Sequence, residues 1–399
     1  MPLTVKDNLY VGGLRATWGS LLFENHIAPR DDIAVERIRA AGAVIVGKTN
    51  TPEFAISAHT DNRVFGVSRN PWDTALTPGG SSGGAVASVA AGMTPLAIAT
   101  DAGGSIRRPS GYAGLVGLRP STGRVARCYG FAPLALDFQA IGPIARTVAD
   151  ARLAFAILAG ADPRDRLSFA AAAAADAAAR RQAGRSGPLR IGLVTGAGGA
   201  PVEPAIIAAT EAAAAAFADD AGCAVAPAAP PYDVEEIAGL FGGLSAAGLA
   251  RVVAGHPDWR ERVDPAVIPA IETGLAMSAA DYVPMIDRLR ALRTAVPDLF
   301  ETVDVYLLPA SAASPWPAAT RFPATIAGKP VGPRGAALFS TFVNALGLPG
   351  IALPAPVDNG ALPIGFQLVG NYGDDALLLD LAARYEAARP WRDRWPALG

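Results

Sequence analysis

Strand-like and helix-like segments alternate along this chain, which predicts an α/β fold: a central mixed β-sheet covered by helices on both faces. Three observations carry the expectation. Short apolar runs of strand length recur, as in Ala43-Val44-Ile45-Val46, Leu189 to Val194 and Val303 to Leu308. Helical stretches separate them, as at 148–158 and 203–219. The 399 residues are 51% hydrophobic and only 18% charged, enough to bury a sizeable core.

Taken in order, the elements read as follows. Asp32 is placed to N-cap a helix that runs through Ile33, Val35 and Ile38 and ends at Gly42. Ala43 to Val46 reads as a short buried strand. From Asn50 to Gly84 no period survives; this is a run of turn formers, and a loop of that length inside a compact domain points to function. Gly83 to Ala91 suits a tightly packed helix. Leu96 to Ala99 reads as a buried strand that delivers Asp101 to Ser105 at its C-terminal end, where sites of α/β sheets tend to lie. After the helix at 148–158, the alanine-rich stretch 168–188 reads as a helix followed by an exposed linker. Residues 189–194 form a strand and 203–219 a helix; the Ala-rich segments at 170–179 and 207–217 are expected on the surface. The region 233–298 is mostly helical. Strands at 303–308, 350–353 and 364–369 and a last helix at 376–388 complete the pattern. The expected organisation is one domain over 1–399, with a motif-bearing core at 1–160 and 300–399 and a divergent helical region at about 165–300.

Composition excludes several classes. The formal net charge is −2 and no basic stripe appears, so nucleic acid is not an expected direct partner. Cys128 and Cys223 are the only cysteines and lie far apart, which argues against a disulfide framework and for a cytoplasmic setting. No Cys/His cluster has ligand spacing, so no metal is implied. The opening octet is polar and charged, unlike a signal peptide, and no uninterrupted apolar run reaches transmembrane length.

The chemistry concentrates in two glycine–serine segments, Pro78-Gly79-Gly80-Ser81-Ser82-Gly83-Gly84 and Thr100-Asp101-Ala102-Gly103-Gly104-Ser105-Ile106-Arg107, preceded by Lys6. A serine hydroxyl becomes a useful nucleophile when a base takes its proton. A lysine serves as that base when burial lowers its pKa enough to populate the neutral amine, and a second serine can relay the proton. Turning glycines let the backbone N–H groups of Ala102, Gly103, Gly104 and Ser105 converge on a carbonyl oxygen as an oxyanion hole. Gly79 to Gly83 also satisfies the G-x-S-x-G elbow pattern, but no strand precedes it and His256 is the only later histidine. Gly196 to Gly199 lacks the third glycine of a dinucleotide loop and reads as a turn. Cys128 is expected to be a small buried or pocket-lining residue.

With these residues in view the chain resembles the amidase signature family, which hydrolyses amides with a Ser–Ser–Lys triad. The matching segments are PLTVKDN at 2–8, GKTNTPEFA at 47–55, NPWDTALTPGGSSGG at 70–84, ATDAGGSIRRPSGYAGLVGLRPSTGRV at 99–125, IGPIARTVAD at 141–150, NALGLPGIALPAP at 344–356 and LPIGFQLVG at 362–370. The resemblance implies that Ser105 is the acyl-enzyme nucleophile, Ser81, after a cis peptide, the proton relay, and Lys6 the base. It implies an oxyanion hole of Ala102, Gly103, Gly104 and Ser105, an ion pair of Asp101 with Arg107 that holds that loop, and Ser82 as support. No cofactor is implied.

Trp18, Ala55, Tyr129 and Phe131 are candidates for the substrate pocket. Arg108 reads as a surface charge, with an acidic substrate as the alternative. The mostly apolar middle region favours an aromatic or aliphatic amide. The expected partner is a small-molecule amide, without membrane, and a homodimer is compatible with the pattern. A second reading is the glutaminase-like chain of a tRNA-dependent glutamine amidotransferase, working in a complex; Gly123-Arg124-Val125-Ala126-Arg127 before Tyr129-Gly130 faintly resembles it. A third is an inactive homologue, because family members carry several tens of residues ahead of the lysine, and a lysine in a frayed terminus is poorly placed for burial.

Overall fold

The computed structural model describes residues 1–358 and 360–397. Its strands are β1 (Pro2–Lys6), β2 (Val44–Thr49), β3 (Leu96–Asp101), β4 (Val116–Arg119), β5 (Ala140–Ala145), β6 (Arg190–Leu193), β7 (Ala224–Pro227), β8 (Val305–Pro309), β9 (Thr325–Ile326), β10 (Lys329–Pro330), β11 (Gly350–Pro354) and β12 (Gly365–Gly370). Ten of them form one sheet in the order β2-β1-β3-β5-β4-β11-β12-β8-β6-β7, and β9 and β10 form a separate hairpin. The sheet is mixed. Pairs β1/β2, β1/β3, β6/β7 and β6/β8 are parallel, while the strands between β3 and β8 pair antiparallel.

Helices cover both faces because the strands are apolar on both. Side chains alternate along a strand, and in β3 Leu96 and Ile98 join the core beneath the helices Ile33–Ala40 and Val148–Leu158, while Ala97 and Ala99 pack with Ala85, Val86 and Val89 on the other side. In β8, Val305 and Leu307 likewise face one core and Tyr306 and Leu308 the other. Such runs are continuous in sequence because both faces are buried.

Most expected elements appear within a residue or two of their predicted ends, including the helices Gly83–Ala90, Val148–Leu158 and Asp375–Ala388. Four expectations need correction. The strand expected at 43–46 is not buried: β2 is an edge of the sheet, and Val44 and Val46 are 60% and 57% exposed. Asp32 stands at the helix N-cap, but its carboxylate accepts the Tyr10 N–H (3.0 Å) instead of capping the helix. The helix Pro204–Asp219 is only half a surface helix, since Ile206, Ala213 and Phe217 are buried under it. Cys128 is exposed. No strand was expected at β4, β5 or β7, which take their places in the sheet by pairing with their neighbours.

The helix Val234–Val253 is, among the described residues, the one long and apolar enough to cross a membrane by length and composition; half of its most apolar stretch is buried inside the protein. It packs closely on the helix Ile268–Ala276. Gly274 permits that approach: a Cβ there would fall inside the Ala246 carbonyl. Gly274→Ala is therefore expected to destabilise the protein by about 2 kcal/mol in urea unfolding, because overpacking outweighs the roughly 1 kcal/mol helix-propensity gain. A neutral or stabilising result would show that this helix pair has room to move.

Candidate active site

Lys6 ends β1, which lies between β2 and β3 with parallel pairing on each side. The expectation of a frayed terminus is therefore not met. Alternation sends Leu3 and Val5 into the core on one face, and Thr4 and Lys6 to the other, where Thr4 meets Ser88 of the helix Gly83–Ala90 (3.1 Å). Lys6 is 0% exposed. Its Nζ lies 2.8 Å from Ser81 Oγ, 3.0 Å from Ser82 Oγ and 3.5 Å from the Thr100 carbonyl. Burial lowers its pKa to about 7, against a smaller opposing pull from Asp101. Asp7, its sequence neighbour, does not share the site: its carboxylate accepts from Thr17 and pairs with Lys48 (3.3 Å).

The direction of the proton follows from the partners. The Ser82 hydroxyl donates to the Thr100 carbonyl (3.2 Å), so toward Lys6 it only accepts. The Ser81 proton is thus the one free to move onto a neutral Lys6 amine. The Gly80–Ser81 peptide is cis, as the family resemblance implied.

Strand β3 delivers the second loop. Asp101 is the hub of that loop: its carboxylate accepts the N–H groups of Gly104 (2.8 Å), Ile106 (3.0 Å) and Arg107 (3.3 Å), the Arg107 guanidinium (3.0 and 3.1 Å), and Asn344 Nδ2 (2.8 Å). Burial alone would raise the Asp101 pKa, but Arg107, with help from Arg119 and the Asn344 hydrogen bond, holds the carboxyl well below the usual carboxylate range. Arg107 in turn reaches Gln367 (2.7 Å), the Ser340 carbonyl (3.0 Å) and Asn344 (2.7 Å). Sequence reasoning assigned no role to Ser340, Asn344 or Gln367. Asn344 and Gln367 lay within the family-like segments 344–356 and 362–370, which was the available signal.

Ser105 is 7% exposed and lines an open cavity of about 230 Å³ with Ala102, Gly103, Ala55, Glu53, Arg108 and Arg334. Among the described residues nothing hydrogen-bonds its hydroxyl or the N–H groups of Gly103 and Ser105. Gly104 departs from the expectation. Its N–H is taken by Asp101 and the Gly103 carbonyl by Ser340 (3.0 Å), so that peptide unit is committed to the scaffold and Gly104 does not line the cavity. Its φ of +100° and a Cβ position filled by Ser340 explain the glycine instead.

Of the expected pocket residues only Ala55 lines the cavity. Trp18 and Phe131 are buried and stacked on each other at 4.8 Å, with Phe23 and Phe54 around them, and so serve packing. Tyr129 lies under the guanidinium groups of Arg30 and Arg164. Nor is Arg108 a surface charge: it is 3% exposed, and its Nη2 donates to the Gly80 carbonyl (2.7 Å). The cavity wall combines apolar side chains, among them Ile56, Phe241 and Val267, with the guanidinium groups of Arg108, Arg321 and Arg334.

Comparison with known proteins agrees with this arrangement. A family model described as Amidase matches residues 1–379. The glutamyl-tRNA(Gln) amidotransferase A chain of Thermosynechococcus vestitus is 33% identical, over 100% of this chain and 86% of that protein. The protein of the same name from Burkholderia pseudomallei is 33% identical with the same coverage. Among solved structures, 6-aminohexanoate cyclic dimer hydrolase complexed with substrate superposes with a TM-score of 0.85 at 28% identity, over 100% of this chain and 86% of that one. A bacterial aryl acylamidase of the amidase signature enzymes gives 0.84 at 28% identity, over 98% and 83%. With the family match running along nearly the whole chain and the fold shared throughout, this protein belongs to the amidase family, as an amidase signature enzyme.

Proposed function

We propose that the chain hydrolyses a carboxamide through a Ser105 acyl-enzyme, with Ser81 as relay and Lys6 as base. The observation that carries this reading is the buried Lys6 amine, with a pKa near 7, lying 2.8 Å from Ser81 Oγ. Ser105 Oγ attacks the amide carbon as its proton passes to Ser81 and the Ser81 proton passes to Lys6. The carbonyl oxygen becomes an oxyanion, for which Ala102, Gly103 and Ser105 supply the candidate N–H donors; each such donor lowers the barrier by about 3–4 kcal/mol. Collapse breaks the C–N bond, and the proton returns through Ser81 to the departing nitrogen. Ammonia or an amine leaves. Water then attacks the Ser105 ester over the same relay, giving the carboxylic acid and restoring the Ser105 hydroxyl. Asp101 and Arg107 touch no substrate; they hold the turn.

The relatives named as amidotransferase chains favour a second reading, in which this protein releases ammonia from glutamine within a complex. Glutaminase activity that appears only with a partner chain would support it over a stand-alone amidase.

A serine-directed fluorophosphonate tests the first reading without a chosen substrate. Mass spectrometry is expected to place the adduct on Ser105, and Lys6→Ala or Ser81→Ala to slow labelling by roughly 10²–10⁴-fold. Labelling at wild-type rate in Lys6→Ala would overturn the role of the lysine. The pH dependence follows in sign from the lowered lysine pKa. Below about 7 the amine is protonated and idle, so the labelling rate is expected to climb about tenfold per pH unit and level off above pH 7. A rate that is flat between pH 5 and 8 would exclude Lys6 as the base.

A further inference from the structure

We propose that His59 determines specificity in this cavity: its Nδ1 accepts the N–H of the scissile amide, so that the site prefers amides bearing an N–H to the corresponding esters. The proposal rests on the acyl-enzyme reading and adds a residue and a substrate class to it. His59 is 4% exposed and lines the same cavity as Ser105. Its Nε2 lies 2.8 Å from the Ala318 carbonyl. A carbonyl only accepts, so Nε2 carries the proton, and Nδ1 of the neutral ring is left as an acceptor. That acceptor has no donor among the described residues: the ring bonds Ala318, and the His59 backbone N–H goes to Ser57. Nor is Nδ1 one of the sealed polar atoms that lack a partner. It keeps a path to solvent, and the open space beside this residue is the cavity.

The chain places this acceptor beside the relay. A Cβ added to Gly80 would stand 2.9 Å from both the N and the O of His59. The next residue, Thr60, donates to the Gly79 carbonyl (2.8 Å) and accepts the Gly83 N–H (3.1 Å). The segment around His59 is thus clamped on the turn that carries Ser81. In the acyl-enzyme sequence the departing nitrogen takes its proton from Ser81, so that nitrogen comes to the turn that His59 borders. The carbonyl oxygen of the substrate needs donors, which an Nδ1 acceptor does not offer; the nitrogen side carries the N–H that it does fit. Two other side-chain acceptors of the wall are already engaged. Glu53 accepts from Ser20 (2.5 Å) and the Asp264 N–H (2.6 Å), and Asp264 is paired with Arg321 (2.5 Å). A site with a fixed, largely buried acceptor discriminates against a ligand that lacks the donor, because the acceptor is then left unpaired.

N-Methylbenzamide and methyl benzoate test this, since they are nearly the same shape and differ in N–H against O. The measurement is how well each protects Ser105 from the fluorophosphonate, which does not require turnover. In the wild type the amide is expected to protect better. In His59→Leu its advantage is expected to shrink about fivefold, the scale of one neutral hydrogen bond. Two further variants separate binding from bracing. His59→Gln keeps an N–H near the Nε2 position for Ala318 but has no acceptor at Nδ1, and is expected to lose the advantage as His59→Leu does. His59→Asn puts a carbonyl oxygen where Nδ1 stands and is expected to keep it. Should His59→Leu fail to fold, the Gln and Asn pair carries the test. An amide that protects the wild type no better than its ester, or an advantage that survives in His59→Gln and is lost in His59→Asn, would overturn the proposal; the latter pattern belongs to a ring that merely holds Ala318. If wild-type Ser105 labels and the amide has no advantage, only the role of His59 fails. If Ser105 does not label at all, the acyl-enzyme reading fails with it.

Discussion

The buried ion pair of Asp101 with Arg107 is the constraint on which the site depends. Neither side chain is exposed. Desolvating both is expensive, and such pairs persist only where additional hydrogen bonds satisfy them. Here they do so completely. Asp101 gathers three backbone N–H groups of its own loop, while Arg107 reaches Ser340, Asn344 and Gln367. Gln367 donates in turn to the carbonyls of Pro309 and Phe339. One network therefore ties the end of β3 to β12 and to the segment before β11. Removing one partner would strand a buried charge, at about 3–5 kcal/mol, and would release the turn that presents Ser105.

Around that fixed turn the protein uses burial in two opposite ways. For Lys6, burial makes chemistry: β1 lies between two strands and under the helix Gly83–Ala90, water is excluded, and the amine loses its proton near neutrality. Its polar neighbours are two serines and a carbonyl, none of which carries a charge that would restore the ammonium form. An arginine resists the same treatment. Arg107 is balanced by a carboxylate, and Arg108 stays charged at the wall of the cavity. The same burial thus produces a base in one place and leaves a charged group at the cavity wall in another.

Backbone groups near Ser105 are divided with equal economy. The Gly103–Gly104 peptide is spent on the scaffold through Ser340 and Asp101, while the N–H groups of Gly103 and Ser105, two residues that line the cavity, have no acceptor among the described residues. Sequence pattern treated the four residues from Ala102 to Ser105 as equivalent donors, because a run of small residues does not reveal which peptide plane is turned by its neighbours. The aromatic candidates failed for a related reason. Trp18 and Phe131 have the size of pocket residues, but their rings stack on each other and do not line the cavity.

The sequence by itself determined the alternation of strands and helices, the glycine-rich turns that hold Ser81 and Ser105, and the family to which Lys6 and both serines belong, since these follow from local periodicity and from motifs whose residues are near neighbours in the chain. Only the tertiary structure decided which strands lie at the edge, that β1 is paired on both sides and can bury Lys6, that Asn344 and Gln367 anchor a loop more than two hundred residues away, and that Arg108 lines the cavity while Tyr129 does not. Those outcomes depend on pairing register and on which side chains meet across the sheet, and a buried charge is recognised only by the partners that folding brings to it.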